Sequence, residues 1–409
     1  MSKRGVFDKV NYQHLIKIFY KNYSEYEKIY HERFFAPTTK HFDFSIKQFN
    51  RNKEFPAFLC YTEDFALLSE QIYKKYEKFS AMINQVPPII LEQFKLSCII
   101  DEVKFSNFIE GIHSSRRDIS EVLQGSSDTS RLSTIVKNHQ ALPSHKIFKF
   151  KTCADIRNFY DTFLQNEIAA DNPNNKLDGK IFRKDSVDVT SSTGKTLHRG
   201  SYPEAKIIEN MNTALQILND EDIPFLVRVS VFHYLFGYIH PFYDGNGRTV
   251  RFITAYFLAE HFHFLPALRL SLTINRQRKN YYDLFAETDS EINRGDLTPF
   301  VLGFSQIISD TFDTIEFDLN RKTELFFKYH EKLQTFLPKD ELLQEIYQIL
   351  LQGALFFPYG ISMEDLMKWS GKSRNTIKTR LKSAPTDDII TMTVGKKIFY
   401  KLNMRIFLR

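Results

Sequence analysis

Residues 240–251 read His-Pro-Phe-Tyr-Asp-Gly-Asn-Gly-Arg-Thr-Val-Arg, and the predictions for the surrounding sequence are built outward from this stretch. From Pro224 to Ile239, apolar side chains recur at three- and four-residue steps, which predicts a helix with one buried face. From about residue 249 to 264 a similar period predicts a second helix. The stretch therefore joins two helices, and its Gly-Asn-Gly run lies at the N-terminus of the second.

The start of this second predicted helix has the properties of an anion-binding site. The first backbone N–H groups of a helix have no partner within it, and the helix dipole is positive there. Gly245 and Gly247 allow a phosphate to approach the backbone closely. Arg248 and Arg251 are three residues apart on the first turn, so we expect both guanidinium groups to contact one polyphosphate.

Two further side chains add reactive groups to this anion site. Asp244 is a hard oxygen ligand of the kind that holds Mg²⁺ against phosphates. His240 ends the first helix, and an imidazole is suited to accepting a proton from an attacking hydroxyl. Together these groups predict transfer of a phosphorus-containing group. The alternative is an exposed turn followed by a charged helix face, which any one of these residues taken alone would equally fit.

The same twelve residues resemble the active-site motif of the Fic family, His-Pro-Phe-x-Asp/Glu-Gly-Asn-Gly/Lys-Arg-x-x-Arg, and every fixed position is filled. The resemblance implies a mainly α-helical core with a small β-hairpin flap, and transfer of AMP from ATP to a protein hydroxyl. It implies His240 as the base and Asp244 as the Mg²⁺ ligand. It also implies that the phosphates of ATP are held by Gly245, Asn246 and Gly247 (α and β) and by Arg248 and Arg251 (β and γ).

A second motif lies at the end of a long predicted helix, residues 89–112. Ser106-Asn107-Phe108-Ile109-Glu110-Gly111 resembles the inhibitory motif of Fic proteins, Ser/Thr-x-x-x-Glu-Gly/Asn. The resemblance implies that Glu110 pairs with Arg251 and so removes the group that should hold the γ-phosphate. It also implies a second activity, in which the same glutamate positions a water that removes AMP. Taken alone, the stretch fits an exposed glutamate before a helix-capping glycine better, because the motif has only three fixed positions.

Two other segments carry residues that the resemblance assigns to the site. An alternating stretch before Gly200 predicts a short hairpin, and in Fic proteins a hairpin here clamps an extended target segment by backbone pairing, which we expect near residues 196–200. A purely solvent-exposed hairpin is the alternative. Tyr281, Tyr282 and Asn293 match residues that line the adenosine side of the pocket, although residues 288–290 lengthen their spacing. Burial of either tyrosine in the core is the alternative.

The C-terminal segment from residue 339 has a different pattern. Three predicted helices and a hairpin favour a winged helix-turn-helix. Basic residues concentrate on the third helix and on the hairpin, or wing, where DNA phosphates would lie: Lys372, Arg374, Lys378, Arg380, Lys382, Lys396, Lys397 and Lys401. A protein-docking or dimer-forming module is an equal alternative.

Composition sets limits on domain organisation and compartment. A chain of 409 residues with 43% hydrophobic residues has material for more than one domain. We predict an N-terminal helical region (1–86), a Fic core (87–337) that includes the inhibitory helix 89–112, and a winged-helix domain (339–409). The net charge of +6 is modest for this length. Three widely spaced cysteines, and the lack of an apolar stretch of membrane-spanning length, favour the cytoplasm.

The sequence as a whole predicts an autoinhibited protein adenylyltransferase. It would use ATP and Mg²⁺, and modify a Ser, Thr or Tyr hydroxyl of a target protein or of itself. Further expected partners are DNA or a protein docked on the winged helix, and a second copy of the chain; no membrane partner is expected. Two alternatives remain: transfer of a different phosphorus-containing group, and a DNA-binding regulator whose Fic core senses nucleotide.

Overall fold

The computed structural model describes residues 12–86, 88–123, 132–144, 148–191, 193–335, 338–357, 359–394 and 397–408. This part of the chain is mainly helical with three small antiparallel sheets, which confirms the predicted fold class. The helices are α1 (Leu15–Lys21), α2 (Tyr23–Phe34), α3 (Glu63–Ile83), α4 (Pro88–Ile109), α5 (Arg116–Leu123), α6 (Ser133–Ala141), α7 (Cys153–Tyr160), α8 (Asn166–Asp171), α9 (Glu204–Asn219), α10 (Phe225–Ile239), α11 (Asn246–His261), α12 (Phe264–Ala267), α13 (Leu270–Arg276), α14 (Arg278–Asp289), α15 (Thr298–Gln334), α16 (Glu341–Phe356), α17 (Met363–Ser370) and α18 (Arg374–Ser383). The strands are β1 (Thr39–Lys47), β2 (Glu54–Cys60), β3 (Asp188–Thr190), β4 (Thr196–Arg199), β5 (Ile361–Ser362), β6 (Ile389–Val394) and β7 (Lys397–Leu402).

Helix α10 lies at the centre of the core. The sequence predicts one buried face, but Val227 and Val231 on the other side are fully buried as well. A helix that is apolar all round is stable only when other elements surround it, and here α9, α11 and α15 do so. The loop 240–245 therefore lies between two helices, α10 and α11, most of whose residues are buried.

The N-terminal region, which we predicted to be helical, also contains a β-hairpin. β1 pairs antiparallel with β2, with Thr39 opposite Cys60 and Lys47 opposite Glu54. In β1 the buried side chains alternate with exposed ones, which is the two-residue period of a strand. The sequence prediction omitted β1, although the alternation of Phe42, Phe44 and Ile46 with polar residues was an available signal and its partner β2 is the next strand along the chain. The domain boundaries themselves remain predictions.

The hairpin is attached to the core through the turn that precedes α15. The backbone N–H of Phe58 donates to the carbonyl of Gly295 (3.0 Å), and the N–H of Leu297 donates to the carbonyl of Phe58 (2.8 Å). Gly295 has a φ of +81°, and a Cβ placed on it would lie 2.4 Å from the carbonyl oxygen of Pro56. Only glycine permits both this backbone conformation and this close approach.

The polar stretch 114–145 contains two helices, whereas the sequence predicted a loop with one short helix near residues 119–123. α5 is the predicted helix, and it begins three residues earlier than expected. The second helix, α6, was not predicted. α6 is short and polar, yet it buries Ile135, Val136 and His139, whose Nδ1 donates to the carbonyl of Ile135 (2.8 Å). Tertiary packing thus stabilises a helix whose sequence has too few apolar positions to predict it. The predicted hairpin before Gly200 is confirmed as β3 paired with β4.

The C-terminal segment has the three predicted helices, α16, α17 and α18, and the predicted hairpin of β6 and β7. The short strand β5 also pairs with β7, so the sheet order is β5-β7-β6. α16 packs against both α4 and α15, which joins this segment to the core. Within the described residues, no helix combines the length and the apolar character that crossing a membrane requires.

We predict that Gly295→Ala destabilises the protein more than Gly194→Ala. Both glycines have φ near +80°, so each substitution carries a backbone penalty of about 1–2 kcal/mol. A Cβ at Gly194 meets no described atom within 4 Å, whereas one at Gly295 overlaps the backbone of β2. Thermal unfolding of both variants tests this: equal midpoints would show that the hairpin does not depend on this contact.

Candidate active site

The loop 240–245 reverses the chain direction with two residues in the left-handed region. His240 has a φ of 52° and caps α10, and Gly245 has a φ of 78° and precedes α11. The side chain of Asn246 spans the loop: its Oδ1 accepts from the N–H of Phe242 (2.9 Å) and its Nδ2 donates to the carbonyl of Phe242 (2.8 Å). In this structure the side chain of Asn246 therefore holds the loop, and the backbone of this turn is what remains for binding phosphate.

His240 has the protonation state that a general base needs. Its Nδ1 lies 3.1 Å from the carbonyl oxygen of Gly237; because a carbonyl only accepts, Nδ1 carries the proton and Nε2 keeps its lone pair. Burial lowers the pKa of His240 to about 4, and the nearby charges of His198 and Arg183 act in the same direction. The imidazole is therefore neutral at pH 7.

Arg183 is a positioning residue that sequence analysis missed. It is fully buried; its Nε donates to the carbonyl of His240 (2.9 Å), and its Nη2 donates to the carbonyl of Ser201 (2.9 Å). It thus joins the loop 240–245 to the residues that follow β4. A Cβ on Gly200 would lie 2.5 Å from Nη2 of Arg183 and 2.8 Å from Cβ of His240, so this junction also requires glycine. Nothing in the local sequence marks Arg183.

Arg251 meets the end of α4, as the inhibitory motif implies. Its Nη1 lies 2.8 Å from Oε1 of Glu110, its Nη2 donates to the carbonyl of Ser106 (2.9 Å), and its Nε donates to Oγ of Ser106 (3.3 Å). Gly111 follows with a φ of +77° and ends the helix. A Cβ on Gly247 would lie only 2.1 Å from Oε1 of Glu110. The carboxylate of Glu110 therefore covers the first turn of α11, where an anion would bind.

Arg248 has a different glutamate as its partner. Its Nη1 lies 3.0 Å from Oε1 of Glu167, and both side chains are almost completely buried. Glu110, by contrast, retains 28% exposure of its side chain. Sequence analysis missed Glu167, although its position four residues after the buried Phe163 was an available signal. The two arginines of the motif thus differ: one is held by a buried carboxylate and the other by one that solvent reaches.

The structure brings together only two of the three residues predicted for the adenosine side. Tyr281 is buried, with its hydroxyl 2.8 Å from Nε2 of His233, and Tyr282 is exposed. Burial raises the pKa of both phenols, and the charges of Glu110 and Arg251 act on both. Asn293 instead lies fully buried in the turn before α15, where its Nδ2 donates to the carbonyl of Asp296 (2.7 Å). Its role in nucleotide binding remains a prediction.

Asp244 lies at the N-terminal end of α11, partly exposed, and its Oδ1 accepts from the N–H of Gly245. A single accessible carboxylate beside a phosphate site suits Mg²⁺, which takes most of its other ligands from water and phosphate oxygens. The residues present therefore fit a magnesium nucleotide.

Comparisons with known proteins agree with this fold and loop. Residues 151–258, which include the whole loop and both arginines, match the Fic/DOC family. A Fic family protein from Desulfovibrio desulfuricans G20 superposes with a TM-score of 0.50 at 19% identity, covering 84% of this chain and 97% of that one. At this identity the likeness concerns the fold alone.

Two further solved structures are similar over a smaller part of this chain. One is a Fic domain containing signaling protein from Bacteroides thetaiotaomicron VPI-5482 (TM-score 0.41, 19% identity, 61% of this chain and 95% of that one). The other is Fic-1, residues 134–508, from C. elegans (TM-score 0.43, 17% identity, 63% of this chain and 74% of that one). Proteins with this domain are typically transferases.

We predict that Glu167→Gln destabilises the protein, by about 3–5 kcal/mol, because it leaves the buried charge of Arg248 without its carboxylate. Urea unfolding of the full chain measures this. Glu121→Gln is the matched control, since Glu121 pairs with the exposed Arg117, and such surface pairs contribute only about 0.2–1 kcal/mol. If both substitutions lowered the free energy of unfolding equally, the buried Arg248–Glu167 pair would be no more important to stability than the exposed Arg117–Glu121 pair.

Proposed function

We propose that this protein is a protein adenylyltransferase, which transfers AMP from ATP to a Ser, Thr or Tyr hydroxyl, and that Glu110 inhibits it. The observation that carries the proposal is the contact of 2.8 Å between Glu110 and Arg251, over Gly247 of a complete Fic motif. The intact Gly-Asn-Gly favours AMP transfer, because relatives that transfer phosphate, UMP or phosphocholine often depart from it. Those transfers form the runner-up.

In the proposed reaction, Nε2 of His240 accepts the proton of the acceptor hydroxyl. The acceptor oxygen forms a bond to the α-phosphorus of ATP as the bond between that phosphorus and the bridging oxygen breaks, and pyrophosphate leaves. Backbone N–H groups at the start of α11 and the guanidinium of Arg248 would hold the phosphates. A Mg²⁺ ion held by Asp244 would neutralise part of the negative charge of the phosphates.

Glu110 would inhibit for two reasons. Its carboxylate lies where the phosphates must approach the backbone of Gly247, so the two exclude one another sterically. It also occupies Arg251, the second cation of the motif. ATP would then bind without its γ-phosphate held, in a position unsuited to attack. The same carboxylate, close to the phosphate site, is suited to positioning a water, so AMP removal is a second proposed activity.

The target would bind beside the flap. β4 pairs with β3, and a groove of about 630 Å³ lies between β4 and the segment Asp43–Asn50 of the N-terminal hairpin. Leu197 of β4 is more than half exposed. An extended segment that pairs with β4 would be held against this groove. Hydroxyls of the chain itself or of a second copy are further proposed acceptors, and a cytoplasmic location is part of the proposal.

We predict that Glu110→Gly raises transfer of AMP by roughly tenfold, because a charge-assisted contact of a partly exposed carboxylate is worth about 1.5 kcal/mol. Incorporation of label from α-³²P-ATP into protein, with Mg²⁺ and cell lysate, measures this. Glu92→Gly is the matched control, because it also places a glycine in α4 but removes an exposed glutamate that pairs with Lys95.

Glu110→Gly combined with His240→Ala should show no label above background, because no base remains. Equal labelling by wild type and Glu110→Gly, with ATP bound in both, would overturn the inhibitory role of Glu110. Absence of label in every variant would favour another donor or a non-enzymatic function.

We predict that titration of His240 does not change kcat/KM of Glu110→Gly between about pH 6 and 8. The base must be neutral; since its pKa is lowered to about 4, it stays neutral above that value and loses activity only as the pH falls through it. Removing the carboxylate of Glu110, which acts to raise this pKa, lowers it further. An acid limb with a midpoint near 6.5 would contradict the assignment.

A second function is proposed for residues 339–409. We interpret α16–α18 and the β6–β7 hairpin as a winged helix-turn-helix that docks on DNA or on a protein. Lys372, Lys378 and Lys382 are exposed on and before α18. Arg374 and Arg380 of the same helix pair with Glu364 and Asp340, which reduces the charge left for phosphates. Lys396 of the wing lies outside the described residues. In this reading the chain is a DNA-binding regulator with a nucleotide-sensing core.

A further inference from the structure

A second cavity, of about 480 Å³, lies apart from the loop 240–251 and between four helices. One wall is α4, the helix that Glu110 directly follows; the others are α13, α15 and α16, together with Arg116, the first residue of α5, and Arg269, which immediately precedes α13. The cavity is therefore bounded by the proposed inhibitory helix, by the core and by the C-terminal segment. Its volume lies in the range of small-molecule sites, about 300–1,000 Å³.

Positive charge predominates in the lining. Five cations (Arg116, Arg269, Arg276, Arg321, Lys322) face two carboxylates (Asp101, Asp318), a formal excess of three. Both carboxylates are already paired: Asp101 accepts from Arg116 and from Nη1 of Arg269 (2.8 Å), and Asp318 lies 3.3 Å from Nη2 of Arg269. Among the described residues, the three cations of α13 and α15 form no ion pair. The excess positive charge therefore lies on Arg276, Arg321 and Lys322, which are available to bind an anion.

One of the cations is buried, and a second is partly covered by aromatic rings. The side chain of Arg269 is 2% exposed, and its Nε has no hydrogen-bond partner in the described part of the chain. Nζ of Lys322 lies over the rings of Phe94 and Phe356, at 5.2 and 5.3 Å from their centroids. Burial lowers the pKa of Lys322, which reflects the free-energy cost of a cation at this place without an anion. Arg276 and Arg321 are exposed, at the opening.

The remaining lining is apolar and largely aromatic. Phe105 comes from α4, Leu272 from α13, and Leu355, Phe356 and Phe357 from the end of α16. A ligand for this cavity should therefore combine an anionic end of high charge with a flat apolar part. We propose that the cavity is a binding site for a small organic phosphate, whose phosphate contacts Arg276, Arg321 and Lys322 and whose ring packs against Phe105 and Phe356.

A phosphate fits better than a carboxylate for two reasons. Its charge of about −2 matches an excess of three positive charges more closely than a single negative charge does. Guanidinium groups also bind phosphate oxygens in pairs, with two parallel hydrogen bonds, and two arginines lie at the opening. The partly enclosed shape and the aromatic wall select a small molecule rather than a nucleic acid backbone.

The ligand would also favour one arrangement of the helices, a consequence that rests on the proposed function. It would contact α4, α13, α15 and α16 together, and thus stabilise the position of α4 in which Glu110 covers the first turn of α11. A ligand that binds one of two states more tightly shifts the population toward that state. Ligand binding should therefore lower AMP transfer by the wild type, and have no such effect in Glu110→Gly.

Calorimetric titration of the full chain with phenyl phosphate tests the site, with inorganic phosphate and phenol as partial ligands. We expect binding of phenyl phosphate, and at least tenfold weaker binding of either partial ligand. Arg276→Ala combined with Arg321→Ala should weaken phenyl phosphate binding at least tenfold. Lys328→Ala, on an exposed lysine of α15 outside the cavity, should leave it unchanged. If the double variant does not fold, Arg321→Ala alone serves.

The proposal would be overturned if phenyl phosphate did not bind to the wild type, or if the double variant bound it as tightly as the wild type does. It would also be overturned if inorganic phosphate bound as tightly as phenyl phosphate, because the aromatic wall would then contribute nothing to binding. Binding without any effect on labelling, in a chain that does transfer AMP, would overturn the coupling to α4. Because calorimetry needs no activity, failure of the proposed function would leave the binding result interpretable.

Discussion

The position of the C-terminal end of α4 depends on one electrostatic constraint, the burial of the Arg251 guanidinium. This side chain is 1% exposed and always charged, and a buried charge without partners is strongly unfavourable. Burial by itself lowers the pKa of Arg251, but Glu110 and Tyr281 hold it above its usual value. α4 supplies the partners, through the carbonyl and hydroxyl of Ser106 and the carboxylate of Glu110. Any state in which Glu110 leaves must give Arg251 another anion, and under the proposed function that anion is the γ-phosphate of ATP.

The same reasoning separates the two arginines of the loop. Arg248 is compensated by Glu167, which is as deeply buried as Arg248 itself, so this pair is a fixed part of the structure. Arg251 is compensated by a glutamate that solvent reaches at the end of a helix, where displacement requires less rearrangement. Two neighbouring cations of one motif therefore differ in their partners: Arg248 keeps a buried carboxylate, whereas a competing anion can displace the carboxylate of Arg251.

α4 itself is anchored along its length by acidic residues, each on a different neighbour. Asp101 contacts Arg269 and Arg116, Glu102 accepts hydrogen bonds from the backbone and hydroxyl of Ser271, and Glu110 contacts Arg251. Burial raises the pKa of Glu102 to about 7, because water is excluded from the contact between α4 and α13. The cationic cavity lies against Asp101, about two and a half turns from Glu110, so a ligand there and a nucleotide on α11 would act on the same helix.

The sequence by itself determined the mainly helical fold, the two helices that flank the loop, the flap hairpin and the contact between Glu110 and Arg251, because each is marked by a local period or by a dense motif with fixed spacing. The tertiary structure alone supplied α6, Arg183 and Glu167, which depend on partners distant in the chain: α6 on core packing, Arg183 on carbonyls near residues 200 and 240, and Glu167 on Arg248. β1 was also missed, although its two-residue period is present in the sequence. The burial of the Asn293 side chain in its turn, and the convergence of cations at the second cavity, likewise follow from packing of distant segments, which leaves no periodic or spaced signal in the sequence.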